Sequence, residues 1–97
     1  MKSYYVNGSF LVAACDEELL GVKLEDREKG AVLYVDPGFY RGDLVGEEEA
    51  REIIRRAETG NLVGERVVSI AISENLVHPE AVLRIKGVPV AYFVKIK

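Results

Sequence analysis

The chain has 97 residues, a formal net charge of −3 at pH 7 and a single cysteine, which predicts one domain over residues 1–97, without an internal disulfide, in a reducing compartment. No apolar run approaches the ~20 residues that a membrane-spanning helix needs, so we expect a cytoplasmic protein. The negative charge argues against a general nucleic-acid binder, and 30% charged residues without any glutamine are typical of thermophilic proteins.

A β-hairpin is predicted at the start of the chain, over residues 4–13. Asn7-Gly8 supplies the two positive φ angles of a type I′ turn, and the apolar second strand is expected to lie inside the sheet. Asp16 is then the predicted N-cap of a short helix or a 3-10 turn that ends at Gly21. The two glutamates that follow Asp16 suit the positive end of that helix, although the three carboxylates together are an alternative site for a cation.

Two further strands are predicted over residues 22–25 and 31–35, followed by a turn at residues 36–38. The next loop contains Phe39, Tyr40 and Arg41, which are candidates for holding a ligand or stacking on a base. The structural alternative is that Phe39 plugs the core under the loop and Tyr40 covers its edge.

The clearest helix signal spans residues 47–58, where apolar residues recur at i, i+3, i+4 and i+7 from Ala50. Glutamates begin this segment and arginines end it, which suits the helix macrodipole. Gly60 is expected to end the helix, and Asn61 to cap a second, almost wholly buried helix over residues 62–74.

The predicted turn between these two helices is the main candidate binding surface. A helix that starts near Asn61 would present free N–H groups to an anion, with Arg66 about one turn further on. The structural alternative is that Gly60 and Asn61 only form a tight turn, that Gly64 permits close packing, and that Glu65 and Arg66 face water.

A third hairpin is predicted from residues 81–86 and 90–96. Lys95 and Lys97 would discourage edge-to-edge pairing of its last strand, whereas an edge position would allow that strand to pair in a homodimer. Because the strands come in hairpins and the helices are grouped, we predict an α+β fold. It is a two-layer sandwich of a mainly antiparallel sheet with two adjacent helices packed on one face.

The residue inventory disfavours several kinds of chemical site. His78 is the only histidine, so a nucleophilic Cys15 would need to meet it in space. A Cys/His zinc site within one chain is excluded by count, and neither a GxxxxGK phosphate loop nor a GxGxxG fingerprint occurs. We therefore expect no cofactor and no metal, whereas paired carboxylates stay open as catalytic groups.

Four segments together resemble a small archaeal family that is known only as a domain of unknown function. These segments are residues 15–21 (CDEELLG), 39–45 (FY, then GDLV), 61–66 (NLVGER) and 82–89 (VLRI, then GVP). The resemblance runs from residue 10 to residue 89 and implies a compact α+β fold of archaeal, cytoplasmic origin. It implies no particular activity and assigns no catalytic residues.

The first functional hypothesis is a non-enzymatic module that presents residues 60–66 and 39–43 to a protein or RNA partner, for example in translation or RNA metabolism. The aromatic and arginine residues of the loop motivate it, as does a basic second half: residues 51–97 carry 8 basic and 5 acidic groups, a balance of +3. The alternatives are a small enzyme or anion-ligand binder that uses Asn61, Glu65 and Arg66, and a structural homodimer subunit.

Overall fold

The structure, a computed structural model, describes residues 1–95 and contains seven strands and three helices in that range. The strands are β1 (Lys2–Val6), β2 (Ser9–Cys15), β3 (Lys23–Asp26), β4 (Ala31–Tyr34), β5 (Thr59–Val63), β6 (Leu83–Ile85) and β7 (Val88–Val94). The helices are α1 (Pro37–Tyr40), α2 (Glu47–Arg56) and α3 (Glu65–Ser73), with 3-10 turns at Glu17–Leu19 and Pro79–Ala81. No helix within residues 1–95 has the length and apolar character needed to cross a membrane.

Five of the strands form one mainly antiparallel sheet in the order β1-β2-β5-β7-β6. Strands β2 and β5 pair in parallel, and the other neighbouring strands pair antiparallel. The first predicted hairpin is confirmed, because Asn7 (φ 50°) and Gly8 (φ 82°) form its turn and β2 lies inside the sheet. The predicted α+β class is confirmed as well.

The predicted turn between two helices at residues 60–66 is wrong, and the predicted helix over residues 62–74 begins later than expected. Thr59–Val63 form strand β5, and α3 begins only at Glu65. Strand β5 is central: β2 and β7 pair with it on either side and satisfy its backbone N–H and C=O groups. These pairings with distant segments outweigh the helical spacing of the apolar residues. Gly60 and Asn61 therefore lie within the sheet and neither end nor cap a helix.

Gly60 is buried in β5 because an aromatic ring covers it. It lies opposite Phe93 of β7, and a Cβ at position 60 would come within 2.1 Å of a ring carbon of Phe93. The Phe93 side chain belongs to the core under the helices and is 4% exposed. This glycine therefore permits a close approach of ring and strand, which is a packing role and not a turn role.

Helices α2 and α3 pack beside each other on one face of the sheet, as predicted for the helical layer, although β5 and not a turn connects them. Their apolar faces meet the sheet in the main core. The largest fully buried side chains of this core are Val12, Ile54, Leu62 and Val68. Burying each such side chain stabilises the fold by about 1.5–3 kcal/mol.

A carboxylate at the end of α3 connects the two helices. Glu74 accepts hydrogen bonds from Arg51 at 2.9 Å and from Arg55 at 2.8 Å, and its side chain is 19% exposed. The hydrogen bonds from Arg55 and Arg51 lower the pKa of Glu74 to about 2. The helical layer is thus held by ion pairs at its outer side as well as by the core.

The β3–β4 hairpin is a separate two-stranded sheet that covers part of the opposite face. Ala13 and Val63 alternate with the residues under the helices, so their side chains point the other way. They form a second core cluster with Leu24, Val35 and Ile85. The hairpin therefore adds a third, smaller layer to the two that were predicted.

The predicted turn at residues 36–38 is in fact the beginning of helix α1. The Asp36 carboxylate accepts a hydrogen bond from the backbone N of Gly38 at 2.8 Å and so caps this helix. Pro37 occupies the first helical position, where its fixed φ suits the helix. Phe39 and Tyr40 consequently lie on a short helix and not on a loop.

Strand β7 lies between β5 and β6, so it is not a sheet edge. The condition under which we expected this strand to pair in a homodimer, an edge position, is therefore not met, and a homodimer formed in another way stays a prediction. The third predicted hairpin is confirmed as β6 and β7. Ile96, which ends the predicted strand, and Lys97, which was expected to discourage edge-to-edge pairing, lie outside the described residues.

Candidate functional site

The N-terminus of α3 is capped by a carboxylate from a distant part of the chain. Asp16 is 6% exposed and is the one buried charged residue within residues 1–95. Its Oδ2 accepts a hydrogen bond from the backbone N of Arg66 at 3.0 Å, and its Oδ1 accepts one from the backbone N of Val67 at 3.1 Å. Asp16 occupies the N-cap position of the 3-10 turn at Glu17–Leu19, as expected, but its side chain makes no capping bond to that turn.

The parallel pairing of β2 and β5 places Asp16 beside the start of α3. Cys15 lies opposite Val63, so Asp16 and Gly64 leave the same end of the sheet together. Gly64 has φ 119° and ψ 155°, a conformation that glycine alone adopts readily. A Cβ at Gly64 would lie 2.4 Å from the carboxyl carbon of Asp16. The N–H groups that we expected to be free for an anion are thus bound to the protein's own carboxylate.

A cleft of about 590 Å³ opens beside the capped helix. It lies between the rim loop (residues 41–46), the end of β2 and the first turns of α3. The apolar residues that line it include Ala14, Leu20, Leu44, Val45, Val67 and Ile70. Its volume falls within the range of about 300–1,000 Å³ that is usual for ligand pockets.

The rim loop is anchored near its beginning and exposed in its middle. The backbone N of Asp43 donates a hydrogen bond to the carbonyl of Met1 at 2.9 Å, and a Cβ at Gly42 would lie 2.3 Å from that oxygen. Val45 packs against the main core, whereas Leu44 is 78% exposed. The mouth of the cleft therefore presents an apolar side chain to water.

The two arginines that line the cleft differ in their pairing. Arg66 Nη2 lies 2.6 Å from Glu18 Oε2, and its Nε lies 3.9 Å from Asp16 Oδ2. The pKa of Glu18 is lowered by a hydrogen bond from the backbone N–H of Glu18 itself and by the Arg66 guanidinium. Arg41 is exposed and has no ion pair within residues 1–95. The charge of Arg66 is therefore largely compensated, and that of Arg41 is not.

Cys15 and Tyr40 form the inner wall of the cleft. Burial and the neighbouring carboxylates of Asp16 and Glu18 raise the pKa of the Cys15 thiol. Burial also raises the pKa of Tyr40, and Cys15 contributes to that rise. Both groups therefore stay protonated at neutral pH, which does not suit a nucleophile or a general base.

Three of the eight predicted site residues line the cleft, namely Tyr40, Arg41 and Arg66. Gly64 lies next to it and contacts the carboxylate of Asp16. Glu65 lies at a different surface, where its Oε1 accepts a hydrogen bond from Arg84 at 2.9 Å. The structure thus brings together part of the predicted turn and part of the predicted loop.

The remaining predicted residues, Gly60, Asn61 and Phe39, do not line the cleft and make structural contacts elsewhere in the protein. Gly60 and Asn61 belong to β5. The Phe39 ring stacks on Tyr4 with centroids 5.3 Å apart and meets Tyr40 edge-on at 5.0 Å. Phe39 is half-buried and packs against the second core cluster, as in the structural alternative, whereas Tyr40, which that alternative placed at the edge of the loop, is buried.

Sequence reasoning missed Asp16 and Leu44 as parts of this site. The signal for Leu44 was present, because Leu44-Val45 is an apolar pair between two glycines in an otherwise polar loop. The helix that Asp16 caps could not be identified, because its bonding partners lie 50 and 51 residues away.

Comparison with known proteins gives the family of this chain. A family model described as "Protein of unknown function (DUF424)" matches residues 4–96. The chain belongs to the DUF424 family. The resemblance carried by the four sequence segments is thereby confirmed.

A solved structure shares the fold of this DUF424 member. The crystal structure of an uncharacterized conserved protein from Methanopyrus kandleri is 27% identical in sequence, with a TM-score of 0.79. The similarity covers 99% of this chain and 91% of that chain. A search of proteins with curated descriptions finds no match.

Proposed function

We propose that this protein is a non-enzymatic binding module that holds a segment of a protein partner in the cleft. The observation that carries this proposal is Leu44, which projects from the rim of an apolar cleft with 78% of its surface exposed. Exposed apolar residues beside a preformed pocket favour association with a partner, because binding removes that surface from water.

The inner wall of the cleft supports binding more than catalysis. The Cys15 thiol is held protonated by burial, which raises its pKa. His78 is exposed, does not line the cleft, and accepts a hydrogen bond on Nδ1 from the backbone N of Glu80 at 3.1 Å. No Cys–His pair is thus available in the cleft to generate a thiolate nucleophile.

The charges at the cleft favour a protein partner over RNA. Six charged side chains line it: the acidic Asp16, Glu17, Asp43 and Glu47, and the basic Arg41 and Arg66. The balance of four acidic and two basic side chains is −2, or −1 with the N-terminal ammonium of Met1, and a phosphate backbone would meet repulsion there. An anion-ligand binder is disfavoured for the same reason, and because Asp16 already occupies the N–H groups of α3.

The test compares proteins captured from a lysate of the source organism by the wild-type protein and by Leu44→Asp. Leu83→Asp is the matched control, since Leu83 is also an exposed leucine (51%) but does not line the cleft. We expect specific proteins to be retained by wild type and by Leu83→Asp and lost with Leu44→Asp. An unchanged set with Leu44→Asp contradicts the proposal, and recovery that disappears after nuclease treatment favours RNA instead.

A further inference from the structure

We infer that the segment bound in the cleft carries a basic side chain next to an apolar one. This inference rests on the proposed function, because it specifies the chemistry of the partner at the same cleft. The apolar part of the segment is required by the lining of the cleft, and the basic part follows from the charges at its mouth.

Three carboxylates at the mouth of the cleft are exposed and nearly free of internal partners. Glu17 and Asp43 have no ion pair within residues 1–95, and Glu47 lies 4.0 Å from Arg51. The uncompensated cations at the cleft are the exposed Arg41 and the N-terminal ammonium of Met1, which donates a hydrogen bond to the backbone carbonyl of Asp43 at 3.3 Å. The mouth therefore carries an excess of negative charge that a basic side chain would neutralise.

An acidic segment would find few unpaired cations or free N–H groups at the same cleft. The Arg66 guanidinium is paired with Glu18 at 2.6 Å, and the N-terminus of α3 is bonded to Asp16. Arg41 and the N-terminal ammonium of Met1 stay available to an incoming carboxylate, but the carboxylate of Asp43 lies two residues from Arg41 in the rim loop, and the exposed carboxylates at the mouth outnumber the two cations. Complementarity of charge thus selects a lysine- or arginine-containing segment and disfavours an acidic one.

The charge of the surrounding chain reinforces this preference. Residues 1–50, which supply the rim loop and the end of β2, contain 5 basic and 11 acidic groups, a balance of −6. An excess of charge of one sign at a cleft concentrates ligands of the opposite sign and raises their association rate. We therefore expect binding to weaken as salt increases, because exposed charges are screened.

The sole cysteine provides a readout of occupancy, because Cys15 lines the cleft and is partly exposed. Three synthetic peptides share the same pair of leucines and differ in the flanking residues, which are lysine, serine or glutamate. The measurement is the rate at which iodoacetamide alkylates Cys15 at alkaline pH, as each peptide is titrated at low and at high salt. A bound peptide slows this rate.

We expect the lysine peptide to bind about threefold to tenfold more tightly than the serine peptide at low salt, which is the size expected for one or two exposed ion pairs. High salt should remove the difference. The double variant Glu17→Gln/Asp43→Asn should remove it as well. The matched control Glu28→Gln/Glu80→Gln changes the net charge equally at exposed residues away from the cleft and should preserve it.

Equal protection by the serine and lysine peptides, or stronger protection by the glutamate peptide, overturns the inference and leaves the proposed function in place. Failure of all three peptides to slow alkylation also overturns it. The Leu44→Asp capture experiment decides the proposed function separately, since it measures whether whole proteins are retained at the apolar rim and compares no peptides of different charge.

Discussion

The bonds between Asp16 and the N-terminus of α3 join two distant segments, and their contribution to the free energy of unfolding can be measured by mutation. In Asp16→Ala, the backbone N–H groups of Arg66 and Val67 lose acceptors at 3.0 and 3.1 Å. A hydrogen bond to a charged group contributes about 1.5–3 kcal/mol, and N-cap replacements cost about 0.5–2 kcal/mol. Two such bonds are lost, but the N–H of Arg66 is only part-buried, so water can replace one of the acceptors, and we expect the free energy of unfolding to fall by about 3 kcal/mol.

Gly64→Ala should damage the same contact from the other side. Its Cβ would lie 2.4 Å from the carboxyl carbon of Asp16, so the carboxylate must move and both hydrogen bonds are lost. The backbone at φ 119° and ψ 155° adds strain of about 1–3 kcal/mol for any residue other than glycine. The expected loss for Gly64→Ala is therefore about 4–6 kcal/mol, the strain added to the ~3 kcal/mol of the two bonds.

The double variant Asp16→Ala/Gly64→Ala should be about as stable as Gly64→Ala alone, because the same two bonds are lost only once. The coupling energy is then about 3 kcal/mol, measured by guanidinium denaturation followed by circular dichroism. Asp36→Ala is the control: Asp36 is an exposed cap with one bond to Gly38, and its loss should cost about 1 kcal/mol or less. Additivity of Asp16→Ala and Gly64→Ala to within about 0.5 kcal/mol would refute the reasoning.

Three further predictions follow from the fold. Gly60→Ala should lower the free energy of unfolding by about 1–3 kcal/mol or more, because the added Cβ meets the Phe93 ring at 2.1 Å. Gly46→Ala is the control: its Cβ would meet nothing within 4 Å, so it should cost about 1 kcal/mol or less, which is the difference between glycine and alanine at the N-cap of α2. The ion pairs hold the pKa of Glu74 at about 2, below its ordinary 4.5, so their stabilisation is complete above pH 4.5 and is lost as the pH falls towards 2. Thermal melts should accordingly show a difference between wild type and Glu74→Gln that shrinks over this range; a constant difference would contradict it. Alkylation of Cys15 should be slower at neutral pH than that of an unstructured cysteine peptide and should rise steeply at alkaline pH, because burial raises the thiol pKa.

The elements that the sequence predicts well are those whose signals are local. The turn at Asn7-Gly8 requires positive φ at two adjacent residues, which these residue types supply regardless of the rest of the chain. Helix α2 has its apolar period, its acidic beginning and its basic end within one short segment. Both predictions therefore hold with small errors at their ends.

Strand β5 could not be predicted by the same means. Residues 62–72 repeat apolar side chains at a spacing that suits a helix, and only pairing with β2 and β7 decides that Leu62 and Val63 extend the sheet. The cleft depends on the same pairing, because Asp16 meets α3 only when β2 and β5 end side by side. Candidate residues near it, such as Arg41 and Arg66, could be named from their chemistry, but their proximity to each other could not.

The middle position of β5 has a consequence for how the protein is made. One neighbour of this strand comes from residues 9–15 and the other from residues 88–94, so the growing polypeptide cannot finish its sheet until residue 94 has left the ribosome. Until then one side of β5 exposes unpaired backbone groups, and the ring of Phe93 is not yet present to cover Gly60. The sheet can therefore be completed only after β7 has been synthesised. We expect chaperones to retain nascent chains that are halted before residue 88.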